Sequence, residues 1–440
     1  MKCVIIAAGK GERLQEKGTS KPLVKFLGLP LIERTIRTAK KAGASEFFVV
    51  TGHEKDPLEA ILKKLSKNID LPIHTIYNSE WEHKPNGFSV LSVKDKIKDP
   101  FLLLMSDHLF DSSIVKDLFS QSNANDVVLA IDKKIQNSMI PIDIVTKVKL
   151  DNNKITKIGK KLKSYDAFDT GIFYCTPAIF EVLEICVNKD MGFLTDAIQH
   201  LASKNKVGTF EIEGRFWADV NDPDSFRKAE SEVLKNLNKQ QDGIIARYCN
   251  RPVSIWISKK LAVTNITPNQ ISVFAFSIAF IASLLFAIGS YIPLIIGGIL
   301  AQFSSIIDGC DGEVARLKYQ ESSYGGWFDA VLDRYADAFL LFGLTWHLQS
   351  NSSENLYLII GFFAITGSFM LSYTADKYDN LMKTYINTRS IRIGRDMRIF
   401  VILLGALLNQ VELILVFVAV VMNIEVIRRM IICKKQIQAP

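Results

Sequence analysis

Two pairs of aspartates stand close together in the second half of the sequence. Asp308-Gly-Cys-Asp311-Gly-Glu-Val-Ala-Arg316 is followed by Gly325-Gly-Trp-Phe-Asp329-Ala-Val-Leu-Asp333. At a helix end and on the helix that follows, spacings of three and four put each pair on one face. Apolar runs flank both, so four carboxylates would gather at a membrane boundary, where unmatched charge is expensive. Two hard divalent cations with oxygen ligands would neutralise them, Mg2+ first and Mn2+ as the alternative. Such ions commonly hold diphosphates. Gly312 and Ala315 let a ligand approach the backbone, Gly325 permits close helix contact, and Arg316 offers a planar fork to phosphate oxygens. Any one of these aspartates reads most simply as a helix cap; four at these spacings read as a metal site.

A second constellation lies at the other end of the chain. Lys2–Ile6 is strand-like and runs into Ala7-Ala8-Gly9-Lys10-Gly11-Glu12-Arg13-Leu14, with Lys21-Pro22-Leu23 just beyond. Small residues free backbone N–H groups to surround phosphates, and Lys10, Arg13 and Lys21 supply charge. The turn has neither the P-loop spacing nor GxGxxG, so alone it says little. Asp107 follows an apolar run, Leu104-Met105-Ser106, and Asp219 stands in Trp217-Ala218-Asp219-Val220-Asn221. Two aspartates at strand ends could jointly hold Mg2+ on a nucleoside triphosphate. His108 reads as structural, and Lys160, Lys161 and Lys163 as a solvated strand edge before a contact for a phosphorylated substrate. Arg389-x2-Arg392-x2-Arg395-Asp396-x-Arg398 is either a solvated basic loop or a clamp for an acceptor that carries phosphate.

The elements that must position these residues differ between the halves. Residues 1–250 hold 37 Lys+Arg and 33 Asp+Glu, whereas residues 251–440 hold 16 and 13. A chain of two solvents explains this better than one uniform globule. Runs 2–7, 46–51, 73–77, 100–105, 126–131, 144–150 and 207–212 read as strands. Runs 29–43, 57–67, 112–122, 177–187 and 193–204 read as helices. The alternation implies an α/β doubly wound, Rossmann-like domain over 1–230, its sheet mostly parallel and its ligands at the carboxyl ends of the strands. Hydrophobic stretches at roughly 271–290, 292–308, 332–348, 355–374, 397–409 and 411–428 predict an all-α domain of six transmembrane helices over 271–440. Residues 231–270 read as a linker and a helix lying in the membrane interface, mixing Arg247, Arg251, Lys259 and Lys260 with Ile244, Ile245, Trp256 and Ile257.

Lys and Arg collect on one side of the six stretches, which places that side, the charged domain and both termini in the cytoplasm of a multi-pass cell-membrane protein. The start of the chain in a strand pattern argues against a signal peptide. Six cysteines with no CxxC spacing read as free thiols, not a zinc ribbon. A net charge of +7 without a long basic run gives no reason to expect a nucleic-acid partner, and membrane lipids are the expected surroundings.

Asp311-Gly312-x2-Ala315-Arg316-x8-Gly325-x3-Asp329-x3-Asp333 resembles the full signature of the CDP-alcohol phosphotransferases. That resemblance covers about 242–440. It implies a six-helix membrane domain, usually a homodimer, in which a CDP-linked alcohol loses CMP to the hydroxyl of a second alcohol. By position, Asp308, Asp311, Asp329 and Asp333 would bind the metals, Asp333 would also be the general base, and Gly312, Ala315 and Arg316 would border the CDP. Residues 1–230 resemble the sugar-phosphate nucleotidylyltransferases in the AAGxGxRL loop, the KPL, the SD after a strand and the WxDVN. This implies that Ala7, Ala8, Gly9, Gly11, Arg13 and Lys21 handle the triphosphate and that Asp107 and Asp219 hold Mg2+. Asn78, Asn86-Gly87-Phe88-Ser89 and Asp169-Thr170-Gly171 resemble pocket segments of the same family.

The fusion of the two is similar to the bifunctional inositol-1-phosphate cytidylyltransferase and di-inositol phosphate phosphate synthase family. It implies CTP and inositol 1-phosphate as substrates, a CDP-alcohol as the shared intermediate, and Arg389, Arg392 and Arg395 suited to a phosphorylated acceptor. Three alternatives stand at this level: a silent docking domain on a phospholipid-making membrane enzyme, activation of another phosphorylated alcohol, or a transporter with a regulatory domain, which would need charged residues deeper inside the spans.

Overall fold

A computed structural model of the chain describes all residues except 18–19, 121–124, 138–139, 190, 238–242, 353–354, 383–393 and 438–440. It divides into two compact units, Met1–Val233 and Leu234–Pro440.

The first unit begins with β1 (Lys2–Ala7), a 3-10 turn at Glu12–Lys17, the short hairpin of β2 (Lys25–Phe26) and β3 (Leu29–Pro30), and α1 (Leu31–Lys41). Next come β4 (Glu46–Thr51), α2 (Lys55–Ile69), β5 (Ile73–Tyr77), α3 (Asn86–Leu91), β6 (Phe101–Met105), β7 (His108–Phe110) and α4 (Ser112–Ser120). The unit continues with β8 (Val127–Asp132), β9 (Lys147–Asp151), β10 (Lys154–Gly159), β11 (Ala167–Cys175), α5 (Ala178–Val187) and α6 (Leu194–Ser203). It closes on β12 (Val207–Glu211), β13 (Trp217–Asp219) and α7 (Pro223–Lys235). The large sheet runs β10-β9-β11-β6-β1-β4-β5, with β8 beside β11 and β12 beyond β8. β6, β1, β4 and β5 are parallel, as expected of a doubly wound fold.

β1 shows why the sheet is covered on both faces. Cys3, Ile5 and Ala7 join one apolar layer with Ile32, Ile36 and Leu58, whereas Val4 joins the other with Phe180 and Leu183. A strand buried on both sides needs continuous apolar sequence. Sequence periodicity missed β10 and the short β2, β3, β7 and β13, and above all β11, which is buried along its whole length and antiparallel to β6 and β8. Asp169-Thr170-Gly171 interrupts its apolar run, and the pairing with β8 shifts register over the same residues.

β7 and β13 form a separate antiparallel ribbon in which Asp219 pairs with His108 and Trp217 with Phe110. Trp217 is buried, and its Nε1–H donates to Asp132 Oδ2 at 2.8 Å. This fixes the start of β13 against the main sheet, and with it the position of Asp219.

The second unit is helical: α8 (Arg251–Ala262), α9 (Pro268–Ala287), α10 (Tyr291–Lys318), α11 (Ser323–Ser350), α12 (Leu356–Tyr373), α13 (Ala375–Met382), α14 (Arg395–Leu408) and α15 (Val411–Ile437). Helices stand at all six of the expected hydrophobic stretches. Among the described residues, α9, α10 and α12 are long and apolar enough to cross a membrane. α11 carries Asp329, Asp333, Arg334 and Asp337, and α14 has 14 residues, so both fall short of that measure on composition or length. The structure corrects one boundary. α10 does not end near Asp308 but continues through the whole Asp308–Arg316 motif to Lys318, closing at Tyr319 in the left-handed region. Its glycines are therefore helical, and Asp308 and Asp311 project from a continuous rod.

Replacing Trp217 by Phe keeps an aromatic side chain but shrinks it and removes the N–H that donates to Asp132 Oδ2. The expected cost is about 1–3 kcal/mol, read as a lower denaturant midpoint of the full-length protein with an unchanged slope. An unchanged midpoint would show that the bond does not anchor β13.

Candidate active sites

In the first unit, the β1 end, the Lys21 turn and the β7–β13 ribbon meet. Gly11 has φ +67 and lies against the Lys21 side chain, so the turn tolerates no Cβ there. Lys21 is nearly buried, and its Nζ donates to both Asp107 Oδ2 and Asn221 Oδ1. Asn221 in turn donates through Nδ2 to Asp219 Oδ2. Lys21, Asp107 and Asp219, dispersed over some 200 positions, thus form one network. Ala7 and Ala8 are buried behind it, while Gly9 is open and Arg13 is exposed. Asn86 and Ser89 are committed to the fold: Asn86 Oδ1 accepts from the Leu194 N–H at 3.0 Å, and Ser89 Oγ accepts from Asn78 Nδ2 at 3.0 Å.

His108 is more central than its structural reading anticipated. Its Nδ1 donates to the Thr170 carbonyl at 2.7 Å, turning Nε2 toward Asp219 Oδ1 at 3.3 Å and Asp107 Oδ1 at 3.7 Å. Asp107, His108 and Asp219 could together hold a metal ion. Gly171, at φ +71, leaves room for the imidazole, which explains the interruption of β11. Burial works against a charged imidazole, but Asp219 and then Asp107 outweigh it and raise His108 to about 9. Burial likewise opposes the Asp107 charge, yet Lys21 and His108 hold its carboxyl below the ordinary range. Asp219 Oδ1 is buried and faces the charged His108 imidazole at 3.3 Å. Two carboxylates that converge on one spot are an oxygen-rich donor set that suits Mg2+.

In the second unit, Asp308 on α10 and Asp329 and Asp333 on α11 bring carboxylate oxygens within 4.8 Å of one another. Asp329 Oδ1 is buried with no hydrogen-bond donor among the described residues, and beside Asp308 and Asp333 it makes a donor set that fits a hard cation. Asp311 lines the same cavity, and its Oδ2 accepts from Ser272 Oγ at 2.5 Å. Gly312 and Arg316 border that cavity too, whereas Ala315 is half-buried outside its lining.

Arg395 stands elsewhere than in a solvated loop. As the first residue of α14 it contacts Asp308 Oδ2 at 2.8 Å, Asp333 Oδ1 at 2.5 Å and Asp337 Oδ1 at 3.1 Å. Arg398 follows one turn on, buried, at 2.7 Å from Asp337 Oδ2. Carboxylates crowded in a low-dielectric setting recruit the nearest fixed cations. Arg389 and Arg392 lie outside the described residues. Asp337 and Arg398 were not foreseen as partners of the cluster, although the i+4 step from Asp333 and the i+3 step from Arg395 place them on the same helix faces.

Comparison with known proteins gives two family matches. Residues 3–151 match a MobA-like NTP transferase domain, and residues 265–426 match CDP-alcohol phosphatidyltransferase. A bifunctional IPC transferase and DIPP synthase of Aquifex aeolicus is 34% identical over 432 residues, covering 96% of each chain. A protein of the same description from Rubrobacter xylanophilus is 32% identical over 439 residues, covering 98% of this chain and 96% of its own. Among solved structures, the inositol-1-phosphate CTP transferase from T. maritima covers 52% of this chain and 95% of its own, with 23% identity and a TM-score of 0.48.

Asp169 yields a test of how this core handles charge. Burial raises its carboxyl to about 6 from the ordinary 3.8, against the Gly171 N–H that accommodates it at 2.8 Å. A raised acid binds its proton more tightly when folded, so its ionisation removes stability as pH climbs from about 4 through 6. Asp169→Asn should therefore stabilise the protein by roughly 1–3 kcal/mol at pH 7 and by little at pH 4, measured by denaturant unfolding. An equal gain at both pH values would contradict the assignment.

Proposed function

The chain belongs to the family of bifunctional IPC transferases and DIPP synthases, and from that membership we propose a two-step use of its two clusters. CTP and inositol 1-phosphate give CDP-inositol and diphosphate in the first unit. CDP-inositol and a second inositol 1-phosphate give phosphorylated di-inositol phosphate and CMP in the second. The observation that carries this reading is the convergence of carboxylates in both units, Asp107 with Asp219 and Asp308 with Asp329 and Asp333, each on a spot that suits a hard cation.

In the first step an oxygen of inositol 1-phosphate attacks the α-phosphorus of CTP, and the bond to the β,γ-diphosphate breaks. No protein nucleophile is needed. Lys21, held between Asp107 and Asn221, is placed to balance phosphate charge, and the open Gly9 turn to donate backbone N–H groups. In the second step the acceptor hydroxyl attacks the phosphorus that bears the inositol, and CMP leaves. Asp333 Oδ1 is held by Arg395, which leaves Oδ2, 3.6 Å from Arg334, to take the hydroxyl proton. Asp107 and Asp219 would hold one Mg2+, and Asp308, Asp311, Asp329 and Asp333 a pair, with Mn2+ as a substitute. Bound metal supplies charge neutralisation on the diphosphate and so a better leaving group.

The same reading makes the helical unit a homodimer in the cell membrane, with the cytidylyl-transferring unit and both termini on the cytoplasmic side. The one-sided distribution of Lys and Arg supports that orientation. The Lys21–Asp107–Asn221–Asp219 network speaks against a silent docking domain, because it keeps a buried lysine where a triphosphate would need it.

Purified full-length protein given CTP, Mg2+ and inositol 1-phosphate should release diphosphate and CMP, and each can be followed separately. Lys21→Ala should lower diphosphate release by about 100-fold or more, and added CDP-inositol should restore CMP release. Asp333→Asn should keep diphosphate release and lower CMP release by about 100- to 10,000-fold, with no rescue by CDP-inositol. Loss of CMP release from CDP-inositol in Lys21→Ala would contradict independent sites.

A further inference from the structure

One charge in the helical unit is compensated on every side and yet lies outside the aspartate pairs. Glu313 is fully buried on α10. Its Oε1 accepts from Arg251 Nη1 and from Ser254 Oγ, and its Oε2 from Ser258 Oγ, all at 2.7 Å. All three donors sit on α8 at spacings of three and four, hence on one face. A carboxylate buried this deeply persists only when paired and fully hydrogen-bonded. The cluster therefore locks α8 along α10 and holds the Arg251 guanidinium in one place.

That place is the wall of the cavity lined by Asp308, Asp311 and Asp329. A Cβ built on Gly309 would lie 3.5 Å from Arg251 Nη1, and one on Gly312 would lie 3.2 Å from Arg316 Nη1. Two guanidiniums thus rest on the bare backbone of α10 at positions three apart, in the same cavity as the carboxylates. A chain of two phosphates needs positive charge on more than one side, and guanidinium forks match phosphate oxygens in both geometry and charge. Arg316 belongs to the sequence signature, but Arg251 does not.

We infer that Arg251 is a donor-binding residue whose guanidinium contacts the diphosphate of the CDP-alcohol, and that Glu313 is the positioning residue that aims it. This rests on the phosphotransferase reading of the helical unit. It adds a phosphate contact from α8, an element outside the aspartate motif.

The test uses full-length protein in detergent, supplied with CDP-inositol and inositol 1-phosphate, so that CMP release reports the helical unit alone. Arg251→Gln should raise the KM for CDP-inositol and the inhibition constant of CDP by about ten-fold or more. The KM for inositol 1-phosphate and the inhibition constant of cytidine should stay within about two-fold. Arg251→Lys should recover part of the loss, and Glu313→Gln should weaken CDP but not cytidine.

Because Arg251→Gln strands a buried carboxylate, the double variant Arg251→Gln/Glu313→Gln serves as the folding control. It should unfold within a few degrees of wild type and still bind CDP weakly. A folded double variant with wild-type affinity for CDP would overturn the inference. So would parallel losses for CDP and cytidine, which would mark Arg251 as a wall residue only. Failure of the wild type to release CMP from CDP-inositol would instead sink the phosphotransferase reading, and the inference with it.

Discussion

Negative charge crowded at the edge of a low-dielectric layer has to be matched, and the helical unit is arranged around that requirement. Asp308, Asp329 and Asp333 come within 4.8 Å of one another, and Asp337 stands one turn farther along α11. Each such group costs several kcal/mol to remove from water unless a cation meets it. Arg395 and Arg398 enter from α14, and Ser272 from α9 answers Asp311. What the described protein groups leave unmatched is a buried oxygen of Asp329. That residue of unmet charge is the physical ground for placing divalent cations, and then a diphosphate, in this cavity.

The same logic operates in the first unit with different parts. There a single lysine spans the gap between Asp107 and Asn221, and a histidine bridges two carboxylates. The ribbon of β7 and β13 sets the geometry, since its register alone brings Asp219 beside His108. On the proposed reading both units handle phosphate by prearranged charge. The product of one is a CDP-alcohol and the substrate of the other is a CDP-alcohol, which gives the fusion a chemical reason.

Much of this was legible from sequence because the spacings carry geometry directly. Asp329 and Asp333 at i and i+4 must share a helix face, and the apolar β1 followed by small residues must end in an open turn. The parallel strands announced themselves as apolar runs. β11 did not, because Asp169-Thr170-Gly171 breaks its run in order to hold His108, a need created by tertiary contact. The helix end expected near Asp308 lies farther on, at Lys318, for a related reason: Gly309 and Gly312 stay in the helix beneath two guanidiniums, a placement set by packing. Arg251 and Glu313 were beyond reach, since 62 residues separate them and only the packing of α8 on α10 joins them.

The most direct measurement is a count of Mn2+ ions bound to the full-length protein without nucleotide, by electron paramagnetic resonance. Wild type should bind ions at both clusters. Asp308→Asn/Asp329→Asn should lose those of the helical unit and keep the one assigned to Asp107 and Asp219. An unchanged count in that double variant would contradict the account, because the crowded aspartates would then be answered by arginine alone.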